Sequence, residues 1–268
     1  VPMTPDGTTP TASPSDPAPA PAPREHPLPA AVLWDMDGTL VDTEPHWIAA
    51  ETALVTRHGA SWGHEQALQL VGSALPESGR VLAEHLRSAV GVHVDPAEVV
   101  EELLDAVVAA VSAGVVWRPG ALALLRALGA AGVPCALVTM SYRNLATTVA
   151  GMVPGAFAVV VSGDEVARGK PAPDPYLRAA QLLGVDAQRC VAIEDSPTGV
   201  ASAEAAGCRV IACPHMVAIP PAPGRSRVAS LAQVDLEVLA RVAGGQPVDT
   251  VDPAGSAGSA GSGAPAGG

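Results

Sequence analysis

Between Val115 and Ala243, short apolar runs alternate with stretches of helical spacing, and few folds accept that alternation. The runs are Cys135 to Val138, Phe157 to Val161, Cys190 to Ile193 and Val210 to Ala212. Helical stretches lie between them. One is opened by Pro119 and stopped near Ala131 by Gly132, and another runs to about Ala150. A third takes Asp174 as its N-cap, Pro175 as its first helical residue and Gly184 as its stop. Ser196 and Pro197 open a fourth, which ends near Gly207. Residues 228–243 hold a last short strand and helix. Runs that are apolar at every position must be buried on both faces. The pattern therefore predicts an α/β fold, a parallel sheet with helices on both sides. An earlier run, Ala30 to Trp34, adds a further strand.

In such sheets ligands bind beyond the carboxyl ends of the strands. Three of these strands end in polar residues: Asp35 and Asp37, then Thr139 to Ser141, then Glu194 and Asp195. Lys170 lies in the loop after a fourth strand. Asp35 and Asp37, two apart, share a side if the strand continues, and Gly38 permits a sharp turn directly after them. Four elements distant in sequence thus meet on one rim.

Residues from His46 to about Gly114 break the alternation. Val99, Leu103 and Val107 recur at i+4, as do Val100, Leu104 and Val108, and Leu82 and Leu86 pair on an earlier helix that Pro76 begins. This segment is expected to be an all-helical insertion. The expected organisation is a catalytic core from 29–45 and 115–243, a helical cap at 46–114, and low-complexity tails at 1–28 and 244–268. Both tails are too poor in bulky apolar residues to offset ordering entropy, so they are expected to be disordered.

Charge narrows the partners. The formal net charge is −12, which repels nucleic acid and anionic membrane, so neither is an expected partner. An anionic substrate would need local positive charge. Lys plus Arg total 15, yet the chain holds one lysine, Lys170, and it falls on the rim. Cys135, Cys190, Cys208 and Cys213 form no CxxC pair and read as buried hydrophobes in a reducing compartment. No basic stretch followed by an apolar run opens the sequence, and no run reaches the roughly 18 residues that span a bilayer. A cytoplasmic protein, monomeric for preference, is expected.

Asp35, Asp195 and Glu194 are hard oxygen ligands that suit Mg²⁺. Lys170 would offer a phosphate a point charge. Thr139 would offer a hydroxyl, and Met140 and Ser141 backbone N–H groups near a helix start. Together these suit a transferring phosphoryl group. The nucleophile is a carboxylate or an activated water, with Asp35 preferred because a carboxylate needs no base. Asp37 could protonate the leaving oxygen and then deprotonate the attacking water.

The segments Asp35-Met36-Asp37-Gly38-Thr39-Leu40-Val41-Asp42, Thr139, Gly169-Lys170-Pro171-Ala172-Pro173-Asp174-Pro175 and Ile193-Glu194-Asp195-Ser196 resemble the four motifs of the haloacid dehalogenase superfamily. The resemblance implies a Rossmann-like core, a helical cap inserted after the first strand, and Mg²⁺-dependent chemistry through an aspartyl-phosphate. It implies that Asp35 is nucleophile and metal ligand, and that Asp37 is acid/base and binds metal through its backbone carbonyl. Thr139 and Lys170 would hold phosphate, and Glu194 and Asp195 the metal. The stretch from Asp37 to His46 is similar to the β-phosphoglucomutase-like group, which contains mutases and sugar-phosphate phosphatases. The mutases' hinge histidine falls here at Trp47 and their cap arginine at Leu75, with Arg80 a possible substitute. The expected function is therefore a phosphatase acting on a small phosphorylated metabolite, a sugar or polyol phosphate. The alternatives are a phosphomutase and, more remotely, a non-catalytic binding protein on the same fold.

Overall fold

The computed structural model describes residues 26–251. In chain order, β1 (Ala31–Trp34) and β2 (Val41–Asp42) precede four helices: α1 (Glu44–Arg57), α2 (His64–Leu68), α3 (Leu75–Val90) and α4 (Pro96–Ala113). Then follow β3 (Val116–Trp117), α5 (Ala121–Ala130), β4 (Cys135–Val138), α6 (Arg143–Gly151), β5 (Val159–Val161) and α7 (Asp174–Leu183). The remaining elements are β6 (Cys190–Glu194), α8 (Pro197–Ala205), β7 (Arg209–Ala212), β8 (Ser226–Arg227) and α9 (Leu236–Ala243).

Six strands form a parallel sheet in the order β5-β4-β1-β6-β7-β8. The chain winds outward from β1 through β4 to β5, then returns to lay β6 on the other side of β1. The winding reverses between β1 and β6, the position at which such sheets leave a crevice at the carboxyl ends. Strand alternation divides the core. Val32 and Trp34 of β1 face one apolar cluster, while Ala31 and Leu33 face a second against α7 and α8.

The expected helical insertion is present as α1 to α4. Val99, Val100, Leu103, Leu104, Val107 and Val111 bury one face of α4, and Leu82 and Leu86 of α3 are fully buried in the same cluster. Each such side chain contributes roughly 1.5–3 kcal/mol of burial. Asp95 caps α4 by accepting the Ala97 N–H at 2.8 Å. The insertion leaves and rejoins the core through an antiparallel ribbon, β2 with β3, in which Val41 pairs with Trp117.

Five local expectations differ from the structure. Pro119 does not open α5, which starts at Ala121 with Gly120 as its N-cap. Pro173, not Asp174, is the N-cap of α7, because the Asp174 carboxylate is taken by Arg168 at 3.1 and 2.9 Å. The strand expected from Phe157 begins at Val159, where pairing with Ala136 begins. The last strand falls at Ser226–Arg227 rather than after 228. The tail expected from 244 is tied down over its described part. The Arg227 N–H donates to Val248 O at 2.7 Å, Thr250 N–H donates to Arg227 O at 2.9 Å, and the Arg227 guanidinium pairs with Asp249 at 2.8 Å. Composition there averages over a long Gly/Ser/Ala stretch and hides these few pairing residues. Residues 1–25 and 252–268, which hold the rest of the two tails, lie outside the described residues.

Candidate active site

Strand order brings the rim together. Asp35 follows β1, Thr139 follows β4, and Glu194 and Asp195 end β6, so the three strand ends are side by side with β1 in the centre. Lys170 reaches them from the loop between β5 and α7. Its Nζ donates to Asp35 Oδ1 at 2.7 Å, Glu194 Oε1 at 2.6 Å and Val138 O at 3.0 Å. Burial opposes the Lys170 charge, but Asp35 and Glu194 outweigh it and hold the amine above its usual range.

The two acids of β6 differ. Glu194 is wholly buried and saturated with donors. Its Oε1 also accepts from Tyr176 at 2.7 Å, and its Oε2 accepts from Asp195 N–H at 3.2 Å and Ser196 Oγ at 3.3 Å. Among the described residues the Asp195 carboxylate accepts one long bond, from Thr39 Oγ1 at 3.3 Å. Burial, with Asp35 and Glu194 adding, pushes the Asp195 carboxyl well above its ordinary value. Burial and Glu194 likewise raise Asp35 to about 7, with Lys170 opposing.

These groups fit a hard cation. Oxygen atoms of Asp35, Glu194 and Asp195 lie within 4.8 Å of one another. Among the described residues, Asp35 Oδ2 is buried without a hydrogen-bond partner, an expensive state that a cation would relieve. An all-oxygen set suits Mg²⁺ or a similar divalent ion. The Asp37 side chain is not in that set. Its Oδ1 accepts from Thr43 at 2.6 Å and Trp47 Nε1 at 3.4 Å, and its Oδ2 from Thr139 at 2.9 Å and Ser141 at 2.8 Å. Thr139 and Ser141, expected at a phosphate, thus hold Asp37 in this structure. The Ser141 N–H is also engaged, donating to Thr139 Oγ1 at 3.0 Å. Met140 is buried beside them and lines the cavity.

Residues 29–207 match the model of the haloacid dehalogenase-like hydrolases. The chain belongs to that family. It is 39% identical to hexitol phosphatase A of Escherichia coli over 185 residues, which is 67% of this chain and 81% of that protein. It superposes on the crystal structure of CbbY from Rhodobacter sphaeroides in complex with phosphate, with a TM-score of 0.70 and 27% identity, covering 77% of this chain and 96% of that one. A β-phosphoglucomutase from Clostridium difficile, at TM-score 0.69 and 19% identity over 81% of this chain and 98% of that one, shares the fold.

In this hydrolase the cavity runs between the rim and the cap. Asp35, Asp37, Ser141, Lys170 and Asp195 line its floor, and residues of α1, α3 and α4 line its roof. Trp47 and Leu75 are both in that lining. Arg80 is not. It pairs with Glu77 and sits with Glu84, Arg87 and His93 around a separate depression on the cap. Arg143 is also turned to a partner, Glu165 at 2.6 Å. Sequence reasoning overlooked Tyr176, whose only signal is a lone aromatic on the buried face of a helix that follows the lysine motif. Glu44, at the start of α1, also lines the cavity. No helix among the described residues is long and apolar enough to cross a membrane.

Proposed function

We propose that this hydrolase is a Mg²⁺-dependent phosphatase that cleaves sugar or polyol phosphates through an aspartyl-phosphate on Asp35. The observation that carries the reading is the meeting of Asp35, Asp37, Lys170 and Asp195 on one buried rim, beside a cavity roofed by a cap. The similarity to a hexitol phosphatase supports the substrate class.

Asp35, Asp195 and Glu194 would hold the metal, joined by the Asp37 backbone carbonyl. Glu194 would also fix Lys170 and the start of α8 through the hydrogen bonds its oxygens accept. Bound there, Mg²⁺ would offset charge on the phosphoryl oxygens. A carboxylate oxygen of Asp35 attacks phosphorus as the bond to the leaving oxygen breaks, and Asp37 delivers a proton to that oxygen. Asp37 then takes a proton from water, which attacks the same phosphorus and releases phosphate and free Asp35. Lys170, Thr139 and the Met140 and Ser141 backbone would hold the phosphoryl oxygens, with Thr139 and Ser141 turning from Asp37 to do so. Thr43 and Trp47, which orient Asp37, stand at the root of the cap, so cap position and proton transfer are coupled.

The phosphomutase alternative needs a second phosphate held by the cap. Leu75 stands where the mutases place an arginine, and Arg80 is directed elsewhere, which weighs against it. The test is phosphate release from a panel of sugar and polyol phosphates, with Mg²⁺ and with EDTA, beside Asp35→Asn. Release that needs both the ion and Asp35 is expected. Isomer interconversion without release, given a bisphosphate activator, would overturn the reading.

A further inference from the structure

Two carboxyl groups in the cavity have no part in the chemistry above. Glu44 and Glu51 lie seven residues apart on α1, on one face, and both are buried and line the cleft. Glu51 is anchored, its Oε2 accepting from Trp62 Nε1 at 2.8 Å. Glu44 is not. It is only 6% exposed, and its carboxyl makes no hydrogen bond among the described residues. Its oxygens are not sealed in the protein and open to the cavity, free to meet a ligand. Desolvation, with Asp37 and Glu51 adding, pushes Glu44 up to about 8.

Charge in the cavity is sorted. Among the described residues, Lys170 is the one Lys, Arg or His in its lining, and it lies on the floor beside Asp35 and Glu194. The roof offers Glu44, Glu51, Ser73 and Ser78 as its polar groups, with no cation. A phosphate ester that places its phosphoryl group on the floor must present its alcohol to that roof. A hydroxyl both donates and accepts, so it satisfies a carboxyl in either protonation state. A second phosphate or a carboxylate would be desolvated there against two acids with no counter-charge.

We infer that Glu44, supported by Glu51, is the specificity-determining contact for the leaving alcohol, and that it selects a neutral polyol over one carrying a second anionic group. This rests on the phosphatase reading above, with the substrate class narrowed by the roof of the cavity.

The test uses the full chain with Mg²⁺ and three substrates: a hexitol 6-phosphate, the matching 6-phosphoaldonate, and p-nitrophenyl phosphate, whose leaving group bears no hydroxyl to contact Glu44. Wild-type kcat/KM for the hexitol ester should exceed that for the aldonate by about a hundredfold or more. Glu44→Ala should lower the ratio of hexitol to aryl ester by at least about tenfold, and Glu44→Gln, which keeps a hydrogen-bonding group, should restore most of it. Equal turnover of aldonate and hexitol would overturn the inference, as would a Glu44→Ala loss that is the same on both hexitol and aryl esters. Aryl phosphate hydrolysis that needs Mg²⁺ and Asp35 but shows no hexitol preference would refute this inference alone. Absence of hydrolysis on all three would refute the phosphatase reading and the inference with it.

Discussion

Gly38 shows how closely single residues are constrained here. Its φ is +83°, and a Cβ built on it would overlap the Asp195 carboxylate. Gly59 has nearly the same angle, +85°, with open space around it. Gly38→Ala and Gly59→Ala should therefore each lose about 1 kcal/mol from backbone strain. Only Gly38→Ala should also displace the Asp195 carboxylate, proposed above to hold Mg²⁺, lowering phosphate release by about tenfold or more, whereas Gly59→Ala should retain it. Parallel denaturation and phosphate-release measurements separate the two effects. Glu51 gives a pH prediction. Burial raises it from 4.5 to about 7, against the opposing Trp62 bond. The folded state therefore holds its proton more tightly than the unfolded state. Its stabilisation is complete below about pH 4.5 and is lost as pH rises through about 7. At about 1.4 kcal/mol per pKa unit, this amounts to roughly 3–4 kcal/mol. Glu51→Gln should flatten the fall in stability between pH 5 and 8, followed by urea unfolding in EDTA; an unchanged slope would refute the assignment. That Asp35, Asp37, Lys170, Glu194 and Asp195 come together was legible in the sequence because each lies at or after the end of a strand that could be read. Glu44 and Tyr176 were not, because their directions depend on how α1 and α7 lie over the sheet.

At the level of elements, strand–helix alternation and the helical insertion were legible because burial imposes period and length together. Element ends were legible where the capping group had no competitor. Ser196 caps α8 as expected, its Oγ accepting the Gly199 N–H at 3.0 Å. Asp174 looked equally suited to its position, but Arg168 claims its carboxylate. That competition is tertiary and leaves no local trace. Ser196 also donates to Glu194 Oε2, so the cap of α8 and the floor of the site share one hydroxyl. Ser196→Ala should cost about 1 kcal/mol in denaturant unfolding. It should also lower phosphate release, because Glu194, which fixes Lys170, loses a donor. A stability loss with activity unchanged would separate the cap from the site and contradict this link.

Across the whole molecule, an acidic chain concentrates its one lysine at the point where three strand ends meet. The strand ends supply the carboxylates of the rim, and the insertion between β2 and β3 supplies the facing walls of the cavity. Sequence order alone could not show that the roof is acidic, since that depends on the packing of α1 against the rim. Phosphoryl transfer to Asp35 can be caught by rapid acid quench. The enzyme would be mixed with a hexitol phosphate radiolabelled in its phosphate, with Mg²⁺, and the protein-bound label mapped by peptide. Label should appear transiently on the peptide that holds Asp35, and be absent with EDTA or in Asp35→Asn. Labelled phosphate accumulating in solution while the chain never carries label would contradict it, and would make an activated water the attacking group.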